Sequence, residues 1–211
     1  MHIAVFGSTG QLGRQCVRQA LAAGHTVTVL ARTPAKLNDD LRRRVDIVEG
    51  DALDDVAVRE TLRGAAAVLF AIGVDKNSPE DLCTDSTGLI LDAMADVGIS
   101  RFVFCGGGST AVPGDPTNFG ARFVRWFAGS FLGLRHRDKD HQLALLQRRT
   151  DIDWFGVRPL QMRKGDFTGT YRMGMDPFNG MSKIFFADCA DAMLSMLDDD
   201  TWRHQAPIIQ Y

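Results

Sequence analysis

Three glycines near the start of the chain, Gly7, Gly10 and Gly13, have a spacing that suits the binding of phosphate groups. They follow a short apolar run at 3–6, which is long enough for a buried strand, and apolar residues with helical spacing come after them. In such a strand–turn–helix unit, Gly7 permits the tight turn, Gly10 lets a diphosphate approach the backbone, and Gly13 lets the helix pack closely. The start of the helix then offers free N–H groups to an anion. The alternative is a tight turn that binds no ligand.

Two residues at the end of the next predicted strand, Arg32 and Thr33, bear on which nucleotide would bind. Many folds that bind NAD carry an acidic residue here for the ribose 2′-hydroxyl. In this chain the strand Thr26–Ala31 is followed instead by an arginine, which can pair bidentately with a 2′-phosphate, and by a threonine hydroxyl. These residues favour NADP(H) over NAD(H). The alternative is that Arg32 is a solvated surface side chain.

The third and fourth predicted strands, at 45–49 and 66–72, end in residues that suit the adenosine half of the same nucleotide. Asp51 can accept a hydrogen bond from the adenine amino group, although it could instead be the acid of a turn or the cap of the next helix. Ala71 is small enough to leave room for the adenosine ribose, and Gly73 closes the strand.

A glycine-rich segment with two hydroxyls follows the predicted strand Arg101–Cys105. Consecutive glycines from Gly106 allow the chain to bend sharply beside a flat ligand, and Ser109 and Thr110 bring hydroxyls to where a nicotinamide would lie. Either hydroxyl could instead stabilise a turn or cap a helix. His141 could donate a proton, although a lone histidine more often lies on the surface.

Strands that alternate with helices position these residues. They predict an α/β fold, a Rossmann-like doubly wound parallel sheet with helices on both faces and its ligand beyond the carboxyl ends of the strands. A sixth strand at 152–157 leads to Pro159, whose fixed backbone can face the nicotinamide edge. One domain, 1–211, is expected, with substrate-side elements at about 109–140 and 160–186.

Residues from about 109 onward are expected to include a small extension on the substrate side. An aromatic-rich helix at 119–134 would wall a pocket for a planar substrate, or would instead bind a partner or a membrane surface. Further elements are expected in the order helix, glycine-rich hairpin, short strand, helix and last strand, at 138–149, 165–180, 182–185, 187–197 and 207–210.

The composition argues against several classes of protein. The formal net charge is -2, which gives no electrostatic case for binding nucleic acid or an anionic membrane. No apolar run approaches the length of a membrane span, and because the sequence starts in a predicted strand we expect no signal peptide. The four cysteines are scattered without the spacing of a metal site, which is typical of buried thiols in a reducing compartment. We therefore expect a cytoplasmic protein without a metal, as a monomer or weak homodimer.

Together these motifs resemble the atypical short-chain dehydrogenases/reductases, in particular the NAD(P)H-binding branch with the NmrA-like proteins and the biliverdin IX-beta (flavin) reductases. The resemblance covers essentially the whole chain. The motifs that carry it are G-S-T-G-Q-L-G at 7–13, the pair R-T at 32–33, G-D-A-L-D-D at 50–55, G-G-G-S at 106–109, D-W-F-G-V-R-P at 153–159, G-T-Y-R-M-G at 169–174 and the segment at 182–194.

This resemblance implies a role for individual residues in binding NADP(H). Asp51 and Ala52 would meet the adenine, and Ser109 and the backbone around Pro159 would lie near the nicotinamide. The phosphates would be held by Gly7, Thr9, Gly10, Gln11, Leu12 and Arg32. The residues inferred from their positions complete the expected site, namely Gly13, Thr33, Ala71, Gly73 and Gly106.

One motif of the classical short-chain dehydrogenases is missing from the chain. In Tyr-x-x-x-Lys the lysine lowers the pKa of the tyrosine, whose phenol then transfers a proton to or from an alcohol oxygen. Tyr171 is followed four residues later by Met175, and Tyr211 is the last residue. This disfavours carbonyl/alcohol dehydrogenases, sugar epimerases and dehydratases of the usual kind. Hydride transfer to a flavin, a quinone or a linear tetrapyrrole needs less from the protein, because the acceptor delocalises the incoming charge.

Three functions follow from these observations. The first is an NADPH-dependent reductase of a small planar acceptor, with Ser109 and His141 as candidate catalytic residues. The second is a non-catalytic protein that senses NADP(H) and regulates a partner, as NmrA-like proteins do. The third is an isomerase that uses the nucleotide only as a structural cofactor. The first two share the same cofactor site, so the sequence does not separate them.

Overall fold

The computed structural model describes residues 1–75, 77–110, 112, 115, 134–176 and 182–211. Along these residues strands alternate with helices. The strands are β1 (His2–Phe6), β2 (Thr26–Ala31), β3 (Asp46–Glu49), β4 (Ala67–Phe70), β5 (Arg101–Cys105), β6 (Asp153–Pro159), β7 (Met162–Arg163), β8 (Arg172–Gly174), β9 (Ile184–Phe185) and β10 (Ile208–Gln210). The helices are α1 (Gln11–Ala22), α2 (Asp39–Arg42), α3 (Asp55–Thr61), α4 (Leu82–Val97), α5 (Leu134–Leu146) and α6 (Phe186–Ser195), with a short 3-10 helix at Pro34–Lys36.

The principal sheet has the strand order β3-β2-β1-β4-β5-β6-β10-β8. Neighbouring strands in it are parallel except β10 and β8, which pair antiparallel at one edge. The chain moves outward from β1 through β2 to β3 and then returns to place β4 on the other side of β1, so the direction of winding reverses between β1 and β4. A crevice opens beyond the carboxyl ends of strands at such a reversal, and ligands of doubly wound sheets bind there. The predicted Rossmann-like fold is confirmed.

Helices cover both faces of the sheet because its central strands are apolar on both sides. In β1, Ile3 and Val5 belong to the core cluster that α1 and α6 cover. Ala4 and Phe6, which point the other way, belong to the cluster under α3, α4 and α5. All four side chains are fully buried.

The substrate-side extension differs from its prediction. In its described part, 165–176, the predicted hairpin segment 165–180 pairs with no strand of its own, because β8 pairs antiparallel with β10, and β7 before it pairs in parallel with β9. An open edge of a sheet offers unpaired N–H and C=O groups, and β8 satisfies those of β10. The helix predicted at 138–149 begins earlier, at Leu134, and ends at Leu146. Residues 116–133, which hold nearly all of the predicted aromatic helix, lie outside the described residues.

A buried carboxylate, Asp188, ties part of this extension to the first turn of α6. Its Oδ1 accepts hydrogen bonds from the backbone N–H groups of Thr168 and Gly169, both at 2.9 Å. Its Oδ2 accepts from the hydroxyls of Thr168 at 3.1 Å and Tyr211 at 2.5 Å. Burial acts to raise the pKa of Asp188, but the hydrogen bonds from Tyr211, Gly169 and Thr168 together lower it below its ordinary value.

We expect Asp188→Asn to lower the free energy of unfolding and to weaken its dependence on pH. Because the folded-state pKa lies below the unfolded one, the carboxylate stabilises the fold above an unfolded pKa of about 3.9, and this contribution is lost as the pH falls through the folded value. At neutral pH the amide should cost about 1–3 kcal/mol, since it cannot accept every one of these hydrogen bonds. Urea denaturation at neutral and acidic pH measures both effects, with the exposed Asp166→Asn as control. An equal loss at both pH values would contradict the role of the charge.

Candidate functional site

The glycine turn after β1 brings α1 so close to the sheet that side chains do not fit at two of its positions. Gly7 has a φ of 85°, and a Cβ on it would lie 2.6 Å from the backbone carbon of Ala71, at the end of β4. A Cβ on Gly13 would lie 2.2 Å from the carbonyl oxygen of Gly7. Both glycines are therefore required by the packing of α1 against β1 and β4.

Gly10, between them, lies in different surroundings. Its N–H donates to the carbonyl of Gly7 at 3.0 Å, and its own carbonyl accepts the first hydrogen bond of α1 from Arg14 at 3.0 Å. A Cβ on Gly10 would meet only the carbonyl oxygen of Gly7, at 3.3 Å. The N-cap residue, Gly10, has no side chain that could cap α1, and the first turn of α1 holds no acidic residue. The start of the helix is thus open to an anion at the winding reversal of the sheet.

The residues predicted around the phosphates reach this opening in different ways. Gln11, Leu12 and Gly13 precede the first N–H that is bonded within α1, so their N–H groups have no partner in the helix. The side chain of Leu12 is packed in the core, so only its backbone can meet a ligand. Thr9 is half-buried and Gln11 is exposed.

The structure brings together two residues of the predicted adenosine end, Arg32 and Asp51. An Nη1 of Arg32 lies 3.7 Å from Oδ2 of Asp51, although the end of β2 itself carries no carboxylate. Both side chains are exposed, so the pair contributes little stability and the guanidinium can exchange Asp51 for a phosphate. Asp51 also accepts from the N–H of Leu53 at 3.0 Å, which makes it a turn acid, whereas α3 is capped by Asp54. Thr33 is exposed beside them.

A second arginine, Arg14, lies near the same end and was not predicted from the sequence. It is partly buried on α1, and its Nη2 donates to the carbonyl of Lys36 at 2.5 Å. Its Nε is buried and has no hydrogen-bond partner among the described residues. This unpartnered donor, beside the segment that follows β2, fits an anionic ligand at this end.

The predicted nicotinamide side is formed by the ends of β4, β5 and β6. Gly106 donates its N–H to the carbonyl of Val157 at 2.9 Å, and Thr110 closes a turn onto the carbonyl of Gly107 at 3.0 Å. The hydroxyl of Thr110 is buried and has no hydrogen-bond partner within the described part of the chain. Pro159 is the last residue of β6 and pairs with Ile209.

The other residues predicted near the nucleotide lie at the same edge of the sheet. Ser109 is partly buried in the segment after β5. Ala52 and Ala71 are buried after β3 and β4. A Cβ on Gly73 would meet nothing within 4 Å, so the chain leaves open space there.

Sequence reasoning missed Lys139, which α5 carries to the ends of β4 and β5. Its ammonium donates to the carbonyls of Ile72 at 3.4 Å and Cys105 at 3.1 Å, and to the side-chain oxygen of Gln142 at 3.1 Å. It also lies 5.5 Å from the ring centre of Phe70. A positive charge is therefore fixed on the predicted nicotinamide side. The only signal in the sequence was a lysine in a predicted helix, which is too common to single out.

Another residue of α5, Asp138, explains why the helix docks here. Its buried carboxylate accepts from the backbone N–H groups of Cys83 and Thr84 at the start of α4, each at 2.9 Å. His141 lies farther out, where its Nδ1 is 2.9 Å from Oδ1 of Asp81 and half of its side chain is exposed. The structure thus sets His141 in a surface pair at the start of α4, and its predicted role in proton transfer stays a prediction.

All four cysteines are buried and free, as predicted. Burial raises the pKa of Cys16 and of Cys83. The pKa of Cys105 is lowered, first by a hydrogen bond from Cys189 and also by the charge of Lys139, against the effect of burial. In the part of the chain that the structure describes, no cluster of His, Cys, Asp or Glu suits a metal ion, and no helix is both long and apolar enough to cross a membrane.

Comparison with known sequences relates the whole chain to one family. The model of a family described as NAD(P)H-binding matches residues 7–200. YwnB of Bacillus subtilis, an uncharacterised protein, is 25% identical over 204 residues, which are 94% of this chain and 92% of YwnB. An uncharacterised protein of Mycobacterium tuberculosis is 33% identical over 108 residues, which are 51% of this chain and only 12% of that much longer relative.

Solved structures share the fold over the full chain. ChuY, an anaerobilin reductase from Escherichia coli O157:H7, superposes with a TM-score of 0.79 at 20% identity and covers 100% of this chain and 97% of its own. A protein assigned as an NADH-flavin reductase from Streptococcus pneumoniae has a TM-score of 0.77 at 24% identity, with coverage of 100% and 99%. A short-chain dehydrogenase/reductase from Veillonella parvula in complex with NADP has a TM-score of 0.79 at 13% identity, with coverage of 100% and 94%. At these identities the likeness is one of fold.

Proposed function

The chain belongs to the NAD(P)H-binding family, and from this premise we propose that it is an NADPH-dependent reductase that transfers hydride to a planar acceptor. The preferred candidates for the acceptor are a flavin and a quinone, and the next candidate is a linear tetrapyrrole. The observation that carries the proposal is the glycine turn at the winding reversal, where Gly10 leaves the start of α1 open to a diphosphate. When bound, the reduced nicotinamide supplies the hydride. The protein supplies binding, orientation and a route for the proton.

The groups at the two ends of the crevice support a phosphorylated dinucleotide. At the adenosine end Arg32 is exposed and forms a surface pair with Asp51, and the Nε of Arg14 is buried without a partner among the described residues. At the other end the hydroxyl of Thr110 is likewise buried without a hydrogen-bond partner among the described residues. Buried polar atoms without partners are rare in folded proteins, so each of these fits a ligand that would bond to it.

The acceptor is inferred from what the chain lacks and from what it exposes. Without Tyr-x-x-x-Lys, the chain has no phenol that a lysine four residues later activates for proton transfer to an alkoxide, so an acceptor that delocalises charge is favoured. Phe167, on the substrate-side loop that Asp188 anchors, leaves 58% of its surface exposed, which suits stacking with a flat molecule. Two reductases with this fold are named for flavin and for anaerobilin, and both of these substrates agree with a planar acceptor.

Two groups on the nicotinamide side serve the reaction in this proposal. Lys139 holds a positive charge at the ends of β4 and β5, which stabilises negative charge that develops on the acceptor as hydride arrives. Ser109 donates a hydrogen bond to the acceptor or relays a proton from water. His141, in its exposed pair with Asp81, is the alternative proton donor.

The direct test is to mix the purified protein with NADPH and with FMN, riboflavin, small quinones or biliverdin, and to follow the oxidation of NADPH. We expect turnover with at least one of them. Tight binding of NADPH without turnover of any acceptor would support the sensing protein instead, and a partner that binds differently with NADP⁺ than with NADPH would then be sought. If titration calorimetry detects no binding of NADPH or of NADH, the proposal is wrong.

Arg32→Ala is expected to weaken NADPH far more than NADH. Loss of a charged hydrogen bond to the 2′-phosphate should cost about 1.5–3 kcal/mol of binding free energy. The stability of the fold should hardly change, since an exposed ion pair contributes little. Titration calorimetry with both nucleotides measures the difference. Arg203→Ala, which removes an arginine paired with Asp200 and Asp153, is the matched control. An equal loss of affinity for both nucleotides would mean that Arg32 does not bind the 2′-phosphate.

Ser109→Ala separates a chemical role of the hydroxyl from a structural one. If the hydroxyl serves the reaction, kcat should fall by about 10–100-fold while the Kd for NADPH stays within about threefold. Ser195→Ala, which removes a hydroxyl bonded within α6, is the control. Equal losses in turnover and in binding would mean that Ser109 only shapes the turn.

A further inference from the structure

The largest fully buried side chain among the described residues is a charged one, Arg158 of β6. Its guanidinium pairs bidentately with Asp115, with Nη1 at 2.7 Å from Oδ2 and Nη2 at 2.6 Å from Oδ1. Only 6% of the Asp115 side chain is exposed. The pair is therefore removed from water, unlike the surface ion pairs elsewhere on the molecule.

The same guanidinium joins separate segments of the chain. Its Nη1 also donates to the carbonyl of Thr110, and its Nε donates to the carbonyl of Ala206, each at 2.5 Å. In turn Oδ2 of Asp115 accepts from the backbone N–H of Val112 at 2.9 Å. Arg158 thus connects β6, the residues before β10 and the segment after β5.

The part of the chain that these contacts hold most directly is 106–110. At its start Gly106 bonds to the carbonyl of Val157, and a Cβ on Gly106 would lie 3.5 Å from Cγ of Arg158. At its end the carbonyl of Thr110 accepts from the guanidinium. Both ends of the segment are therefore fixed to β6, and the stem of Arg158 lies under the first of them.

Stability alone does not account for such a pair. Removing two charges from water is expensive, and well-packed apolar residues of similar volume often serve a fold equally well or better. What an ion pair adds is direction, because the planar fork of an arginine accepts only one arrangement of its partners.

We propose that Arg158 is a positioning residue, which with Asp115 fixes the segment 106–110 so that Ser109 faces the nicotinamide side of the site. This inference rests on the proposed function, because it assigns Arg158 a role through Ser109. It predicts that the geometry of the segment, and with it turnover, depends on the fork of the guanidinium beyond its contribution to stability.

The test compares Arg158→Lys with the double variant Arg158→Met, Asp115→Leu. Lysine keeps the charge, but a single ammonium cannot span the two carboxylate oxygens and both carbonyls. The double variant removes both charges and leaves neither one buried alone, so its fold should be retained. Arg149→Lys is the control, because Arg149 also pairs with two carboxylates, those of Asp92 and Asp151, but at the surface and away from this segment.

Two readouts are needed, the hydrogen exchange of the amides of Thr110 and Val112 and the steady-state kinetics. In either Arg158 variant that folds, we expect exchange of these amides at least about tenfold faster, and kcat lower by about 100-fold, the scale of a 1 Å misplacement. The Kd for NADPH should stay within about threefold, since the phosphates are bound at the other end of the crevice.

The outcomes separate this inference from the proposed function. Unchanged exchange and unchanged kcat in a folded variant would overturn it, as would a double variant with full stability and full activity. If the wild-type protein reduces no acceptor, the proposed function fails, while the exchange of the two amides still decides whether Arg158 fixes the segment. Should the double variant not fold, Arg158→Lys by itself gives the answer.

Discussion

Replacing Gly10 by valine is expected to abolish the binding of NADPH while the protein still folds. Gly10 has a φ of -75° and a ψ of 168°, an extended conformation that any residue adopts, so valine introduces no backbone strain. Its side chain would occupy the open space above the start of α1, where the diphosphate is predicted to lie. We expect the affinity to fall by at least about 100-fold, which corresponds to about 2.7 kcal/mol. Titration calorimetry measures it directly.

The matched control for this variant is Gly88→Ala in α4. A Cβ there would lie 3.8 Å from a methyl group of Leu145, which is an ordinary contact. NADPH binding should therefore be unchanged. The Gly10 variant should also lose only about 1 kcal/mol of stability, from a poorer helix cap. If it bound NADPH like the wild type, the diphosphate would not lie at this turn, and the proposed function would lose its principal support.

Gly13→Ala is expected to destabilise the fold itself, whether or not a nucleotide is present. The new Cβ would lie 2.2 Å from the carbonyl oxygen of Gly7 and 2.9 Å from the Cα of Ser8, and both of these atoms belong to the backbone. Helix α1 would have to move away from β1, at a cost of about 3 kcal/mol or more. Urea denaturation without ligand measures the change.

The sign of this effect is diagnostic, because alanine is normally the better residue within a helix. At Gly88 the same substitution should stabilise the fold by up to about 1 kcal/mol. A neutral or stabilising effect at Gly13 would show that α1 does not pack against β1 as closely as the structure has it. Together, the Gly10 and Gly13 variants distinguish the effect of this short motif on NADPH binding from its effect on the packing of α1.

Elements near the amino terminus were the easiest to predict, and the reason is local. The strands β2 and β5 have the predicted bounds, and β1 begins one residue earlier than predicted. Each is a short run rich in apolar and β-branched residues that is followed by a glycine or an arginine, so neighbouring residues suffice to define it. A hairpin was predicted at 165–180 because its glycines are typical of one. The strand in this segment, β8, instead pairs with β10, which lies more than thirty residues later.

The site shows the same division between local and distant contacts. The turn at Gly7 and the proposed cofactor residues around it follow from spacing within a few positions. Lys139 reaches the ends of β4 and β5 only because Asp138 caps α4, and no local pattern contains that contact. Arg32 and Asp51 were each predicted as cofactor residues, but their pairing was not, because the two meet only when β2 and β3 lie side by side.

By itself, the sequence determined the alternation of strands and helices, the doubly wound class of the fold and the glycine turn after β1, because periodicity and glycine spacing act over a few residues. Tertiary structure alone decided which distant side chains share the site: Lys139 at the strand ends, Asp51 beside Arg32, and Arg158 with Asp115. Charges and hydrogen bonds act over a few ångströms in space, whatever the distance along the chain. Their partners are therefore set by strand order and helix docking, which no short stretch of sequence contains.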